Sequence, residues 1–177
     1  MAMEISRLKA IVLYVLNTVP RKCIGKHELF KILYFASQKH LVKYGNALIT
    51  DFYAFQYGPV PSELSNYLNE NNNAIMSAII ADEEARYILS PIEMPDMEEL
   101  SKADVECLNE SIKENSGLEF FELTDKSHSL AWSNAWNNHT GKRGGRMNII
   151  DIAAEAGADE KTIEYIQEEL ELEAALK

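Results

Sequence analysis

Apolar residues in the first part of the chain recur at helical spacing. Ile5, Leu8, Val12, Val15, Leu16 and Val19 fall on one face of residues 4–18, with Arg7, Lys9 and Asn17 elsewhere. This pattern predicts a first helix stopped by Pro20. A second helix is predicted from Lys26 to Tyr44. Leu29, Ile32, Leu33, Ala36 and His40 form its stripe, Phe30, Tyr34 and Leu41 widen it, and Gly45 is placed to end it. A helix apolar over so much of its circumference belongs at the centre of a core. The pattern then changes to the aromatic run of a strand, with Phe52, Tyr53, Phe55 and Tyr57. Gly58 permits a turn, Pro59 and Pro61 fix φ on either side of Val60, and Pro61 suits the start of a helix that continues through Ser62, Glu63 and Leu64. Residues 51–64 are therefore expected to form a stiff strand-to-helix corner.

That helix is expected to end near Asn69, before the polar break Asn71-Asn72-Asn73, with one or two further turns over Ala74 to Ala81. Ala85, Tyr87 and Leu89 alternate with Arg86, Ile88 and Ser90. A second strand over 84–90 follows, with the strand at 51–57 as its expected antiparallel partner. Ser101 and Asp104 frame a capping box for a helix reaching about Ser116, with Val105, Leu108 and Ile112 inward. Short helices are predicted over Glu119–Ser127 and Ser129–Asn137, the second with Trp132 and Trp136 on one face. The loop Gly141-Lys142-Arg143-Gly144-Gly145-Arg146 marks the clearest internal boundary. Beyond it, Asn148 can cap a helix ending at Gly157, and Asp159 can cap a last one to about Ala175. The expected fold is mainly α (α+β): a helical bundle with a small two- to three-stranded antiparallel sheet. It divides into a helical domain over 1–140, a basic glycine-rich loop over 141–147 and an acidic helical hairpin over 148–177.

Composition narrows the function without choosing it. With 46% hydrophobic and 25% charged residues, the chain can bury a core. Its net charge of −11 argues against general nucleic-acid affinity, but the charge is uneven. Residues 1–80 hold 8 Lys/Arg against 5 Asp/Glu, and residues 81–177 hold 9 against 23. A basic partner is thus expected at the C-terminal half and an anionic one at the N-terminal half. Cys23 and Cys107 have neither ligand nor disulfide spacing and read as buried thiols in a reducing compartment. The apolar run Ala10–Leu16 is too short to span a bilayer and lacks signal-peptide features, so a cytoplasmic protein without membrane attachment is expected.

No catalytic constellation stands out, and the expectation is a protein that is not an enzyme and needs no cofactor or metal. His27, His40, His128 and His139 make no ligand pair, and no nucleophile elbow, Walker loop or dinucleotide fingerprint is present. His40 reads as a core histidine satisfied by hydrogen bonds, and His128, between Ser127 and Ser129, as the fixer of a helix junction. Tyr57, Pro59 and Val60 hold the corner and can also offer a rigid apolar edge to a partner.

Residues from Leu29 to Trp132 resemble the Panacea domain, the SocA-like antitoxin family often found with phages. The resemblance rests on Lys31-Ile32-Leu33-Tyr34-Phe35-Ala36 with His40 and Tyr44-Gly45, and on Phe55-Gln56-Tyr57-Gly58-Pro59-Val60-Pro61-Ser62-Glu63-Leu64. Leu100-Ser101, Leu123 to His128 and Trp132 follow in order, with Leu123-Thr124 where the family usually has Leu-Ser. It implies a mainly helical antitoxin of a toxin–antitoxin pair that neutralises its cognate toxin by direct contact. It also implies a bacterial AAA+ protease as a further partner, because the founding type delivers its toxin to one. The candidate residues for a partner surface are Tyr57, Pro59, Val60, Pro61, His128 and Trp132.

A rival reading lies in Asp151 to Ile163, where Ala153, Gly157 and Ile163 have helix-turn-helix spacing. A DNA-binding regulator would then use Lys142, Arg143 and Arg146. Residues 151–177 carry 9 acidic and 2 basic side chains, however, which phosphates would repel. The toxin's identity and the oligomeric state are not written in the sequence.

Overall fold

A computed structural model describes residues 3–82, 87–138 and 144–176. The described chain is mainly helical with two small antiparallel sheets. Helix α1 (Ile5–Thr18) leads through β1 (Ile24–Gly25) into α2 (Lys26–Tyr44). Then come β2 (Phe52–Phe55), β3 (Gly58–Pro61) and α3 (Ser62–Asn69), followed by β4 (Ile79–Ala81) and β5 (Ile88–Pro91). Five helices finish the chain: α4 (Lys102–Asn115), α5 (Phe120–Ser127), α6 (Leu130–Asn137), α7 (Ile149–Glu155) and α8 (Glu160–Ala175).

Helix α2 is the axis of the molecule, touching α1, α4, α5, α7, β1 and β3. Its predicted stripe is buried throughout, but so are Lys31 and Ser37, which the stripe did not include. Enclosure of residues 29–37 obliges the polar groups of that stretch to find partners within the protein. Ser111 Oγ on α4 donates to Ile32 O at 2.6 Å, and Ser37 Oγ donates to Leu33 O at 2.9 Å while accepting from Ile49 N. Tyr34 Oη donates to Glu155 at 2.6 Å.

The tightest polar junction joins α1, α2 and α4 at Asp104, 1% exposed. Arg7 grips its carboxylate through two bonds of 3.0 Å, and His40 Nε2 lies 3.2 Å from Oδ1. The predicted capping box is present, with Ser101 N donating to Oδ2 at 2.7 Å and Ser101 Oγ accepting from Asp104 N at 3.1 Å. Burial alone would raise the carboxyl pKa, but the bonds from His40, Arg7 and Ser101 outweigh it and hold Asp104 well below the usual range. Burial likewise pulls His40 down, and its contacts with Asp104 and Asn46 O reverse the sign, leaving it raised.

Several expectations about the strands need correction. The strand ending in Pro91 does not pair with the aromatic strand: β5 pairs with β4 and β1, and β2 pairs with β3. Ala85 and Arg86 of the expected 84–90 strand lie outside the described residues. The expected strand-to-helix corner is instead a hairpin, with Phe55 opposite Gly58 across only Gln56 and Tyr57. Closing so short a loop costs less entropy than bringing in a strand from 30 residues away. Residues 74–81 form a 3-10 turn (Met76–Ala78) and then β4, since branched Ile79 and Ile80 suit a strand better than a further helical turn. Cys107 is buried as expected, but Cys23 is exposed, because it sits on the short surface connection after Pro20.

The C-terminal segment is woven into the same core. Gly144 to Met147 lie along β2, with Ala54 N donating to Gly145 O at 2.9 Å and Met147 N to Phe52 O at 2.8 Å. Only glycine fits at 144, because a Cβ there would stand 1.2 Å from Ala54 O. Helix α7 buries Ile152 and Ala153, and its Glu155 accepts from Tyr34, Gln38, Ser129 and the Ala131 N–H at the start of α6.

Replacing Asp104 by Asn should destabilise the fold by about 3 kcal/mol, the lower end for breaking a buried pair because Arg7 is partly exposed. Urea denaturation checks this. A depressed carboxylate stabilises the fold above its unfolded pKa and loses that contribution as pH falls, so the difference between Asp104→Asn and the parent should shrink below about pH 4.

Candidate functional site

The hairpin tip is held by three helices. Phe52 and Ala54 direct their backbone bonds to the 145–147 segment, which leaves Tyr53 and Phe55 to pair with Val60 and Gly58. The backbone nitrogens of Pro59 and Pro61 therefore fall on the outer edge of β3, where they offer no donor to another strand. The carbonyl of Pro59 on that edge accepts from Lys31 Nζ at 2.9 Å, and Trp132 Nε1 on α6 donates to Phe55 O at 2.9 Å. Gly58 closes the turn with φ +97°, and a Cβ there would stand 2.3 Å from Ser127 Oγ and 2.8 Å from Lys31 Cε. Glycine is thus required for both conformation and space.

Lys31 is 1% exposed and makes no ion pair among the described residues. Desolvation lowers its pKa to about 7. One turn earlier on α2, His27 has Nε2 3.2 Å from both Phe120 O and Thr124 Oγ1. Burial, followed by repulsion from Lys31, lowers its pKa to about 4. His128 ends α5 and is lowered for the same two reasons in the same order. Its Nε2 is buried without a hydrogen-bond partner among the described residues. Three nitrogen bases therefore converge beneath the hairpin tip, each biased towards its neutral form.

Beside them lie two groups of aromatic rings, one at the start of α5 and one on α6. Tyr57, 48% exposed, meets Phe120 edge-on at 5.2 Å. Phe120 stacks on His27 at 4.0 Å and meets Phe121, 70% exposed, edge-on at 5.3 Å. His128 stacks on Trp132 at 3.8 Å, and Trp132 on Trp136 at 5.5 Å. Helix α5 buries Leu123, Thr124 and Ser127, so its core face does not account for the Phe120–Phe121 pair.

Of the residues singled out from sequence, Tyr57 is exposed at the tip, Val60 is half-buried, and Pro59 and Pro61 are buried. His128 and Trp132 are brought together with the tip. His128 sits at the α5–α6 junction, where its ring stacks on Trp132 and hydrogen-bonds the backbone of Gln56. Lys31, His27, Phe120 and Phe121 were missed. A lysine inside the apolar run Phe30–Phe35 was a usable signal, since a stretch buried all round has no solvent face to give it. Lys142 and Arg143 lie outside the described residues, and Arg146 is exposed, its backbone bridged to Tyr53. The predicted turn at Gly157 is present, but α8 exposes Glu160, Glu164, Glu168, Glu169, Glu171 and Glu173, a surface that repels phosphates. Among the described residues there is no cluster of three or more metal-ligating side chains, and no helix is long and apolar enough to cross a membrane.

The family model for the SocA-like antitoxin, Panacea domain, matches residues 29–133, more than half of the chain. The chain belongs to this antitoxin family. No curated protein and no solved structure matches it. The matched segment runs from α2 to α6 and contains the hairpin, Lys31 and most of the aromatic rings, while α1, α7 and α8 lie outside it.

Lys31 should leave a measurable signature. A lysine whose folded pKa is lowered makes the unfolded chain bind more protons between about pH 7 and pH 10.4, so its contribution to stability rises with pH across that window. In thermal melts, the gap between the parent and Lys31→Met should move in the parent's favour from pH 7 to pH 10. A gap independent of pH would show that Lys31 is not desolvated.

Proposed function

We propose that this chain neutralises a toxin by direct protein–protein contact, without catalysis, through the aromatic residues Tyr57, Phe120, Phe121, Trp132 and Trp136. The observation that carries the reading is the exposed trio Tyr57, Phe120 and Phe121, with half-buried Trp132 and Trp136 on the neighbouring helix, on a domain of the antitoxin family. Large aromatic anchors dominate binding energy at protein interfaces, and anchors fixed before binding lose little entropy on association. Exposed apolar groups gathered in one place mark interaction surfaces.

Co-expression with the product of the adjacent open reading frame tests the reading, with rescue of growth and co-purification expected. Tyr57→Ala and Phe121→Ala, both at exposed positions, should each weaken the complex at least about tenfold, or ~1.4 kcal/mol, while leaving the melting temperature within a few degrees. Complex formation that ignores both substitutions would move the interface elsewhere. The toxin's half-life separates two modes of action. Contact alone leaves it unchanged or longer, whereas delivery to a AAA+ protease shortens it.

A further inference from the structure

A second surface lies away from the hairpin tip, where α8 meets the body of the molecule. Helix α8 is anchored at its start: Ile166 is buried, and Tyr165 lies over Gly45 at the end of α2. Beyond that point no residue of α8 is buried. Between the second half of α8 and the α2–β2 connection lies a groove of about 840 Å³. Ala47 and Ile149 contribute accessible apolar lining from the body, over the buried Leu41 and Met147, and Leu170 and Ala174 line it from α8. Beyond these anchors, lining positions 169, 170, 173 and 174 continue one helical face for about 8 Å, so the unfilled length matches one to two turns of a partner helix.

The charges around the groove restrict what fills it. Glu169 and Glu173 line it from α8, with Glu168 and Glu171 exposed on the same half-helix. Arg146 is the basic group among the lining residues. Leu170, 39% exposed, supplies an apolar contact inside this acidic rim. An acidic amphipathic segment would be repelled, as would nucleic acid, and a purely apolar one would leave the carboxylates without partners. We infer that the groove is a docking site for a cationic amphipathic helix of a partner protein, with its apolar side chains between Ala47, Ile149 and Leu170 and its Lys or Arg residues on Glu169 and Glu173. This is helix-in-groove recognition with charge setting the choice of partner. The part of the body wall from Leu41 to Thr50 lies within the family match, while residues 146–149 and α8 lie outside it.

The test uses the full chain and a fluorescein-labelled Leu/Lys amphipathic helical peptide of about 14 residues, with a Leu/Glu peptide of the same apolar pattern as control. Fluorescence anisotropy should show the Leu/Lys peptide binding at least tenfold more tightly. Leu170→Asp, which adds negative charge while removing the apolar contact, should lose at least tenfold. The double substitution Glu169→Lys and Glu173→Lys should do the same, as should Ala47→Arg, which obstructs the body side and leaves α8 intact. Circular dichroism checks that each variant keeps its helices. Binding that survives Leu170→Asp and Ala47→Arg would be diffuse charge attraction and would overturn the proposal. So would a dimer of this chain, seen by sedimentation, that Leu170→Asp dissociates, since the groove would then hold a second copy. The assay contains no toxin, so its failure leaves the antitoxin reading untouched.

Discussion

Burial of the central stretch of α2, residues 29–37 with His40 and Leu41, is the constraint from which the rest of the structure follows. The polar side chains of that stretch cannot reach water, so each is met from within the protein. Lys31 reaches the hairpin at Pro59, Tyr34 reaches α7 at Glu155, Ser37 meets the backbone at Ile49, and His40 meets α4 at Asp104. These contacts point in different directions around the helix, and each fixes the position of one packed unit. Hydrophobic burial favours assembly of the core, while the polar contacts select the arrangement in which these groups of α2 are met.

The same constraint explains the hairpin tip. Lys31 can remain buried because Pro59 offers a carbonyl that no strand uses, and that carbonyl is free because proline alternation turns the outer edge of β3 away from further pairing. The tip is thus locked from below by Lys31 and Ser127 and from the side by Trp132. Its upper side carries the aromatic residues that the core does not take. A surface fixed in this way holds its shape without a partner, which favours direct binding over folding on contact. The nearby imidazoles, kept neutral by burial and by Lys31, add polar contacts without adding charge.

Glu155 gives the C-terminal helices their place. By accepting from Tyr34, Gln38, Ser129 and the start of α6, it ties α7 to the family domain and sets the angle from which α8 departs. The groove beside α8 follows from that geometry. An antitoxin-family domain with an acidic helical arm presents two chemically distinct faces, one aromatic and the other apolar with an acidic rim.

Much of this was legible in the residues. Helical periodicity located α1, α2 and α4, Ser101 and Asp104 announced their capping box, and Gly-Pro-Val-Pro after an aromatic run pointed to the segment that forms the tip. These features depend on neighbours a few residues apart, and their physics is local. The partner of each strand, the burial of Lys31, the joining of Tyr57 to Phe120 and the insertion of Glu155 beneath α6 were not legible. Each depends on where a distant segment arrives, and periodicity carries no information about that. By itself the sequence determined a mainly helical chain with a rigid glycine–proline signature and a strongly acidic end. Only the tertiary structure decided that the signature is a hairpin, that a lysine can be sealed beneath it, and that the acidic end forms one wall of a groove, because those outcomes depend on which surfaces α2 must have covered.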